Sequence, residues 1–436
     1  MVDEETIAWA FRLILGRECD DPQVLAHIAA HAESLEHVRR SFFQSPEYES
    51  RMGYGIHFPG RFEARTESGP RIVIIGNCQG PELARYLAAM TGASVLGLDA
   101  TTYATDSSGR WSEDCTQADY ILSMQFPEQF EGIGLRHLHE RFPGKVITLC
   151  PVEFRGLYPD VLRLGEPHAP VNGPMATHSG LVLCGFLTGL DEAACLRLFR
   201  SETFEAFGYY AAWDRSRAEF YKREEFVDIK IAHEFFDRVR TEPLMLTDNY
   251  PATILYQMIC ERICSRLDQP FRRIPVGIGS GIQAHPAVWP VYDEIAAHHG
   301  LTYRTSRMFV RDWAAFDLRS FVRSSYSAYR ELGASKILEA LSACDPGERE
   351  AHPWIESILA GEPLRLPSAA PEPARAPDRK PTHANEGSGG DHDPASAPPS
   401  TAEAAHGADE PAQANEPPKA AHQAPPRRGW KPFWRR

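Results

Sequence analysis

A chain of 436 residues is too long for one compact core, and its length implies two to three domains. A hydrophobic fraction of 43% is ordinary for globular proteins, and no run of ~18 apolar residues is present to cross a bilayer. The formal net charge of −13 argues against a nucleic-acid binder that works by broad phosphate neutralisation. Nine scattered cysteines include no Cys-x-x-Cys pair, so neither a cysteine-held metal site nor a disulfide framework is expected. The acidic start Met1-Val2-Asp3-Glu4-Glu5 is unlike a secretory signal, so a cytoplasmic location with reduced thiols is the expectation.

Residues 1–52 read as a small all-helical module. Ile7, Phe11, Ile14 and Leu15 recur at helical spacing, Gly16 stops that helix, and Asp21-Pro22 caps the next. Ser34 caps a third helix, with Leu35, Val38, Phe42 and Phe43 facing inward. So short a module buries little alone and should dock on its neighbour or on a partner. Phe11-Arg12-Leu13-Ile14-Leu15-Gly16-Arg17 and Phe42-Phe43-Gln44-Ser45-Pro46-Glu47-Tyr48 resemble a DUF4214-type domain, which implies an enzyme context of surface carbohydrate. Residues 53–70, rich in Gly, Arg and Glu, read as a linker.

From residue 71 to about 330 the pattern is α/β. Arg71-Ile72-Val73-Ile74-Ile75 is a continuous apolar run, as expected of a parallel strand covered on both faces. Glu82–Met90 reads as a helix, followed by strands at Ala93–Leu98, Tyr120–Met124 and Lys145–Leu149. Helices are expected at 180–188, 191–199, 204–228, 251–267 and 290–299. Alternation of this kind predicts right-handed crossovers and a doubly wound, mostly parallel sheet. Residues 331–366 read as a C-terminal helical extension. Residues 367–436 hold 14 of the 35 prolines and no aromatic before Trp430, a composition that predicts disorder. The last ten, Arg427–Arg436, combine five positive charges with Trp430, Phe433 and Trp434, the chemistry of a membrane-surface or assembly-partner contact.

The segment Gly76-Asn77-Cys78-Gln79-Gly80 sits between the first parallel strand and its helix, where open α/β sheets bind ligands. Glycines at both ends allow a sharp turn, and the helix N-terminus offers free N–H groups with partial positive charge. That field predicts a Cys78 thiol shifted toward thiolate. Asn77 and Gln79 add amides able to donate to an oxyanion or a phosphate. The glycine spacing is neither a dinucleotide fingerprint nor a P-loop, although Asp99 lies where a ribose-binding acid would.

This strand with Gly-Asn-Cys-Gln, together with Pro151, Phe154-Arg155-Gly156-Leu157-Tyr158-Pro159-Asp160, Thr177-His178-Ser179-Gly180, Asp248-Asn249-Tyr250-Pro251 and Pro290-Val291-Tyr292, resembles the WcbI-type capsular polysaccharide biosynthesis family. The resemblance implies a coenzyme A-dependent acetyltransferase that acts on a carbohydrate acceptor. It also implies a fold similar to the SGNH/GDSL hydrolases, with cysteine in place of the nucleophilic serine. Tyr158 and Tyr250 depart from the family pattern, in which histidine tends to stand at both positions.

Acyl transfer to a hydroxyl needs a general base near neutral pH, and histidine is the default. His178, in a loop that opens an apolar helix, is the first candidate; His285, in Gly281-Ile282-Gln283-Ala284-His285-Pro286, is second, and His168 third. Asp160 and Asp248 are the acids expected to orient a base, each with an alternative as a helix N-cap. Gly76, Asn77, Gln79, Gly80, Asp248 and Asn249 form the expected cofactor-binding set. A cysteine esterase of SGNH type, or a non-catalytic carbohydrate-binding or scaffold protein, is the alternative to acyl transfer.

Overall fold

The computed structural model describes residues 2–48, 60–66, 69–100, 110–126, 132–166, 169–275, 277–278, 287–303, 305, 307–311, 314–364 and 366. His168, His285 and the whole of 367–436, including Arg427–Arg436, lie outside the described residues.

Five strands build the sheet: β1 (Arg61–Ala64), β2 (Arg71–Gly76), β3 (Ser94–Asp99), β4 (Tyr120–Met124) and β5 (Val146–Leu149). Their order is β1-β3-β2-β4-β5, with β2 to β5 parallel and β1 antiparallel to β3. Ile72 to Ile75 are all buried, as a strand covered on both faces requires. The chain leaves β2 for β3 on one side and then crosses to β4 on the other. The switch point therefore lies beyond the carboxyl ends of β2 and β4, and the Gly76–Gly80 turn occupies it.

The linker expectation fails at Arg61–Ala64. These four residues pair with Val95–Leu98, and the N–H of Asp99 donates to the Gly60 carbonyl at 2.8 Å. A strand this short carries no readable period of its own; β3 supplies the partner that sets it.

The helix after the turn, Gln79–Thr91, is buried along nearly its whole length because the sheet covers one face and the N-terminal helices cover the other. Those helices begin where the sequence places them. Asp21 accepts from the Gln23 N–H with Pro22 in the first turn, Ser34 accepts from the His37 N–H, and Gly16 takes φ +65°. Phe11–Leu15 widens into a π-helical turn. Buried Arg85 donates through Nη1 to the Leu13 and Ile14 carbonyls at 2.7 and 3.2 Å, and through Nε to Glu82 at 3.2 Å. The module thus docks on its neighbour, against the helix that starts at the candidate site.

Beyond the sheet, helices at Gly180–Leu187, Ala212–Arg223, Ala232–Arg238, Thr253–Leu267 and Leu318–Leu332 pack on a shared core. The expected helix over 204–228 is broken at Phe207–Ala211 and ends at Arg223. Helices at Ala334–Ser342, Pro346–Ala351 and Trp354–Leu359 follow and return the chain to the Arg163 region through Glu348.

Candidate functional site

The turn after β2 is built by close backbone approach. A Cβ on Gly76 would stand 2.8 Å from the Gly80 Cα, and one on Gly80 would stand 2.9 Å from the Leu98 carbonyl oxygen. Both glycines therefore seat the helix on the sheet, and that packing role replaces the direct cofactor contact expected of them. Asn77 acts as the local cap: its Oδ1 accepts from the Gln79 N–H at 2.9 Å and its carbonyl from the Gly80 N–H at 2.8 Å. Two of the backbone donors expected to face a ligand are thus used within the turn. The Cys78 N–H and the Asn77 Nδ2 have no acceptor among the described residues.

Gln79 is also reassigned. Its buried amide donates to the Val152 and Asn249 carbonyls, both at 2.8 Å, and accepts from the Val152 N–H at 3.0 Å. With these bonds made to backbone, it clamps the turn to two loops. Asn249 turns its own Oδ1 to the Thr247 hydroxyl at 3.1 Å. One loop brings Asp248, which the sequence pairs with a histidine; the structure pairs it with Arg163 instead, at 2.8 and 3.0 Å.

Arg163 is the centre of a buried charge cluster. Its Nη1 donates to Glu348 at 3.1 Å, and Arg155 donates to the same carboxylate at 3.1 Å through Nη1 and again through Nη2. The side chains of Asp248 and Glu348 are only 2% and 6% exposed, whereas that of Arg163 is 31% exposed. Burial raises the Glu348 carboxyl, but Arg155 and Arg163 overrule it and hold it down to about 2. Arg163 is close enough to Cys78 to act on its charge.

Cys78 is half-buried, and its thiol is not shifted toward thiolate. Burial, with Asp99 adding to it, pushes the thiol up to about 12 against the opposing pull of Arg163. The expected helix-terminal activation is overridden because desolvation penalises the anion more than the end of one helix stabilises it.

His178 and Asp160 stand apart from this site. His178 lies in a short strand, His178–Ser179, paired with Val161–Leu162, and is buried. Its Nδ1 bonds the Tyr329 hydroxyl at 3.1 Å and its Nε2 the Val171 carbonyl at 2.8 Å, so both nitrogens are committed. Burial lowers its pKa. Asp160, fully buried, accepts from the Leu181 N–H at 2.9 Å, Tyr209 at 2.7 Å and Tyr292 at 2.8 Å. No hydrogen bond joins either residue to Cys78 among the described residues, and the bonds that His178 and Asp160 make are to their own surroundings. Tyr158, at one of the two departures from the family pattern, is buried and donates to the Met245 carbonyl at 2.8 Å. Tyr250, at the other, is buried close enough to feel the charge of Cys78.

The sequence reading missed Arg163 and Glu348. Arg163 stands alone between two leucines, and Glu348 lies 185 residues further on. Only folding reveals that pair. Asp99 was noted for a ribose; the structure places it opposite Gly76, at the end of β3.

An open, mostly parallel sheet whose switch point carries a partly exposed cysteine at a helix start is an α/β scaffold of the kind that binds ligands at that point. Residues 71–272 match the family described as polysaccharide biosynthesis enzyme WcbI. A solved structure of WcbI, described as a novel polysaccharide biosynthesis enzyme in its native form without a disulfide bond between coenzyme A and one of its cysteines, aligns over 67% of this chain and 99% of its own. The TM-score is 0.55 and the sequence identity 15%. No curated protein matches the chain.

Proposed function

We propose that the domain transfers an acyl group, acetyl in the simplest case, from coenzyme A to a hydroxyl of a surface polysaccharide or its precursor. The observation that carries this reading is Cys78, at a helix start on the switch point, with the Cys78 N–H and Asn77 Nδ2 uncommitted and the charge of Arg163 felt at the thiol. A match of residues 71–272 to a polysaccharide biosynthesis family, and a structural neighbour described by reference to coenzyme A and a cysteine, suggest the substrate classes.

In this reading Arg163 attracts the anionic groups of the donor, and the two free donors stabilise charge that develops on the thioester oxygen. A thiol held neutral favours direct transfer, with Cys78 lining the site, over an acyl-cysteine intermediate. With His178 committed elsewhere, this reading gives the acceptor's proton to Asp99, whose charge the Cys78 thiol feels, and water in place of the sugar would give the related esterase reaction. The cysteine then stands where an SGNH-type hydrolase carries its serine.

Free coenzyme A is expected to raise the melting temperature, since a ligand held only by the folded state stabilises it by mass action. Cys78→Ala is expected to lower the transfer only in part at unchanged stability, because the backbone N–H and Asn77 remain; loss of nearly all transfer in both Cys78→Ala and Cys78→Ser would point instead to an acyl-cysteine. A clear shift with NAD or a nucleotide sugar, and none with millimolar coenzyme A, would overturn the donor assignment.

A further inference from the structure

Glu348 lies outside the segment that matches the family, on the short helix Pro346–Ala351 of the C-terminal extension. It nevertheless reaches the site's arginine. Its carboxylate bonds Arg163 at Nη1 and at the backbone N–H, the latter at 3.3 Å, and it bonds Arg155 from the other side. Asp248 holds the remaining Nη2 of Arg163 with both carboxylate oxygens. Two arginines and two acids thus interlock, and Arg163 is the member with the most exposed side chain. Asp248 belongs to the loop that Gln79 ties to the Cys78 turn through Asn249. The bridge therefore runs from the extension to the turn that carries Cys78.

We infer that Glu348 is a positioning residue for the candidate site, acting through Arg163, whose location and effective charge beside Cys78 are set by its two carboxylate partners. The inference deepens the acyl-transfer reading by assigning the extension a part in the donor site, and it rests on that reading for its consequence in catalysis. The groups that face each other are few. Cys78 feels Asp99, Arg163, Tyr250 and Tyr256. Glu348 feels Arg155, Arg163 and His352, whose Nε2 bonds the Val161 carbonyl at 3.0 Å. Arg163 links the two sets. Removing the charge of Glu348 while keeping an acceptor oxygen leaves Arg163 in place on Asp248 but less neutralised, and the thiol then ionises more easily.

The test is the pH profile of Cys78 alkylation by iodoacetamide in the full chain, read by mass spectrometry so that each cysteine is followed separately. Glu348→Gln is expected to move the Cys78 profile down by about half a pH unit, roughly threefold faster labelling at pH 8. Arg163→Gln is expected to move it up. In the Arg163→Gln background, Glu348→Gln is expected to change nothing further, the signature of action through the arginine. An unchanged profile in Glu348→Gln overturns the inference. So does a rise shared by Cys115 and Cys150, neither of which feels Glu348 and which would report general loosening, or a shift that persists without Arg163. Protection of Cys78 by coenzyme A in the parent chain is scored separately. Its absence would count against the acyl-transfer reading while leaving the alkylation profiles to decide the role of Glu348.

Discussion

Two polar clusters lie deep in this molecule, one around Asp160 and one around Cys78, and they differ in what is left over. Around Asp160 the carboxylate accepts from Leu181, Tyr209 and Tyr292, and the neighbouring His178 has both ring nitrogens bonded. Around Cys78 the clamp residues Gln79, Asn249 and Asp248 are bonded to one another's loops, but the mouth keeps free donors and a partly exposed arginine. A buried polar group must be paired, so full satisfaction marks architecture. Unused donors beside a half-buried side chain mark a place for a ligand. Titratable residue types alone do not separate the two cases; the bookkeeping of bonds does.

The largest expected effect breaks the first cluster. Asp160→Ala leaves two tyrosine hydroxyls and an N–H buried without their acceptor, each costing ~1–3 kcal/mol, so unfolding free energy should fall by about 4 kcal/mol. Denaturant midpoints measure it. A variant with parental stability but no transfer would return Asp160 to the chemistry.

The comparison also shows what was legible beforehand. The run Ile72–Ile75, the Gly76–Gly80 turn and the caps at Asp21 and Ser34 depend on neighbours in sequence, and they stand where the pattern puts them. β1 was hidden because its pairing partner is Val95–Leu98. His178 in a loop and His178 sealed between Tyr329 and Val171 are the same letters; only the packing distinguishes them. The thiolate expectation for Cys78 considered the helix terminus and omitted desolvation, a quantity set by the whole fold. Arg163, Asp248 and Glu348 come from three separate regions, and no spacing rule connects them.

A middle-sized effect sharpens the boundary of the second cluster. Gln79→Leu keeps the volume but orphans the Val152 N–H and the carbonyls of Val152 and Asn249, which should cost about 2 kcal/mol and loosen the turn. Faster alkylation of Cys78 should accompany the lost stability. If instead stability is kept and coenzyme A binding alone is lost, Gln79 faces the ligand and the clamp assignment is wrong.

A difference of sign with pH also separates the two clusters. Burial lifts the Asp160 carboxyl to about 6 against the opposing bonds from Ser179, Leu181, Tyr209 and Tyr292. An unfolded aspartate titrates near ~4, so between these values the folded state holds the extra proton, and stability falls as pH rises from ~4 to ~6. Glu348 runs the other way. Arg155 and Arg163 hold it down to about 2 although burial alone would raise it. Its contribution is present above ~4 and is lost as pH falls toward ~2, where the unfolded state takes up the proton first. Urea midpoints followed from pH 7 to pH 3 should therefore rise slightly on acidification through the first window and drop through the second. Asp160→Asn should flatten the first limb and leave the second; Glu348→Gln should do the reverse. A single monotonic loss of stability from pH 6 downward, unchanged by Asp160→Asn, would mean that Asp160 is ionised at little cost. The sealed cluster would then be wetter than its hydrogen bonds imply.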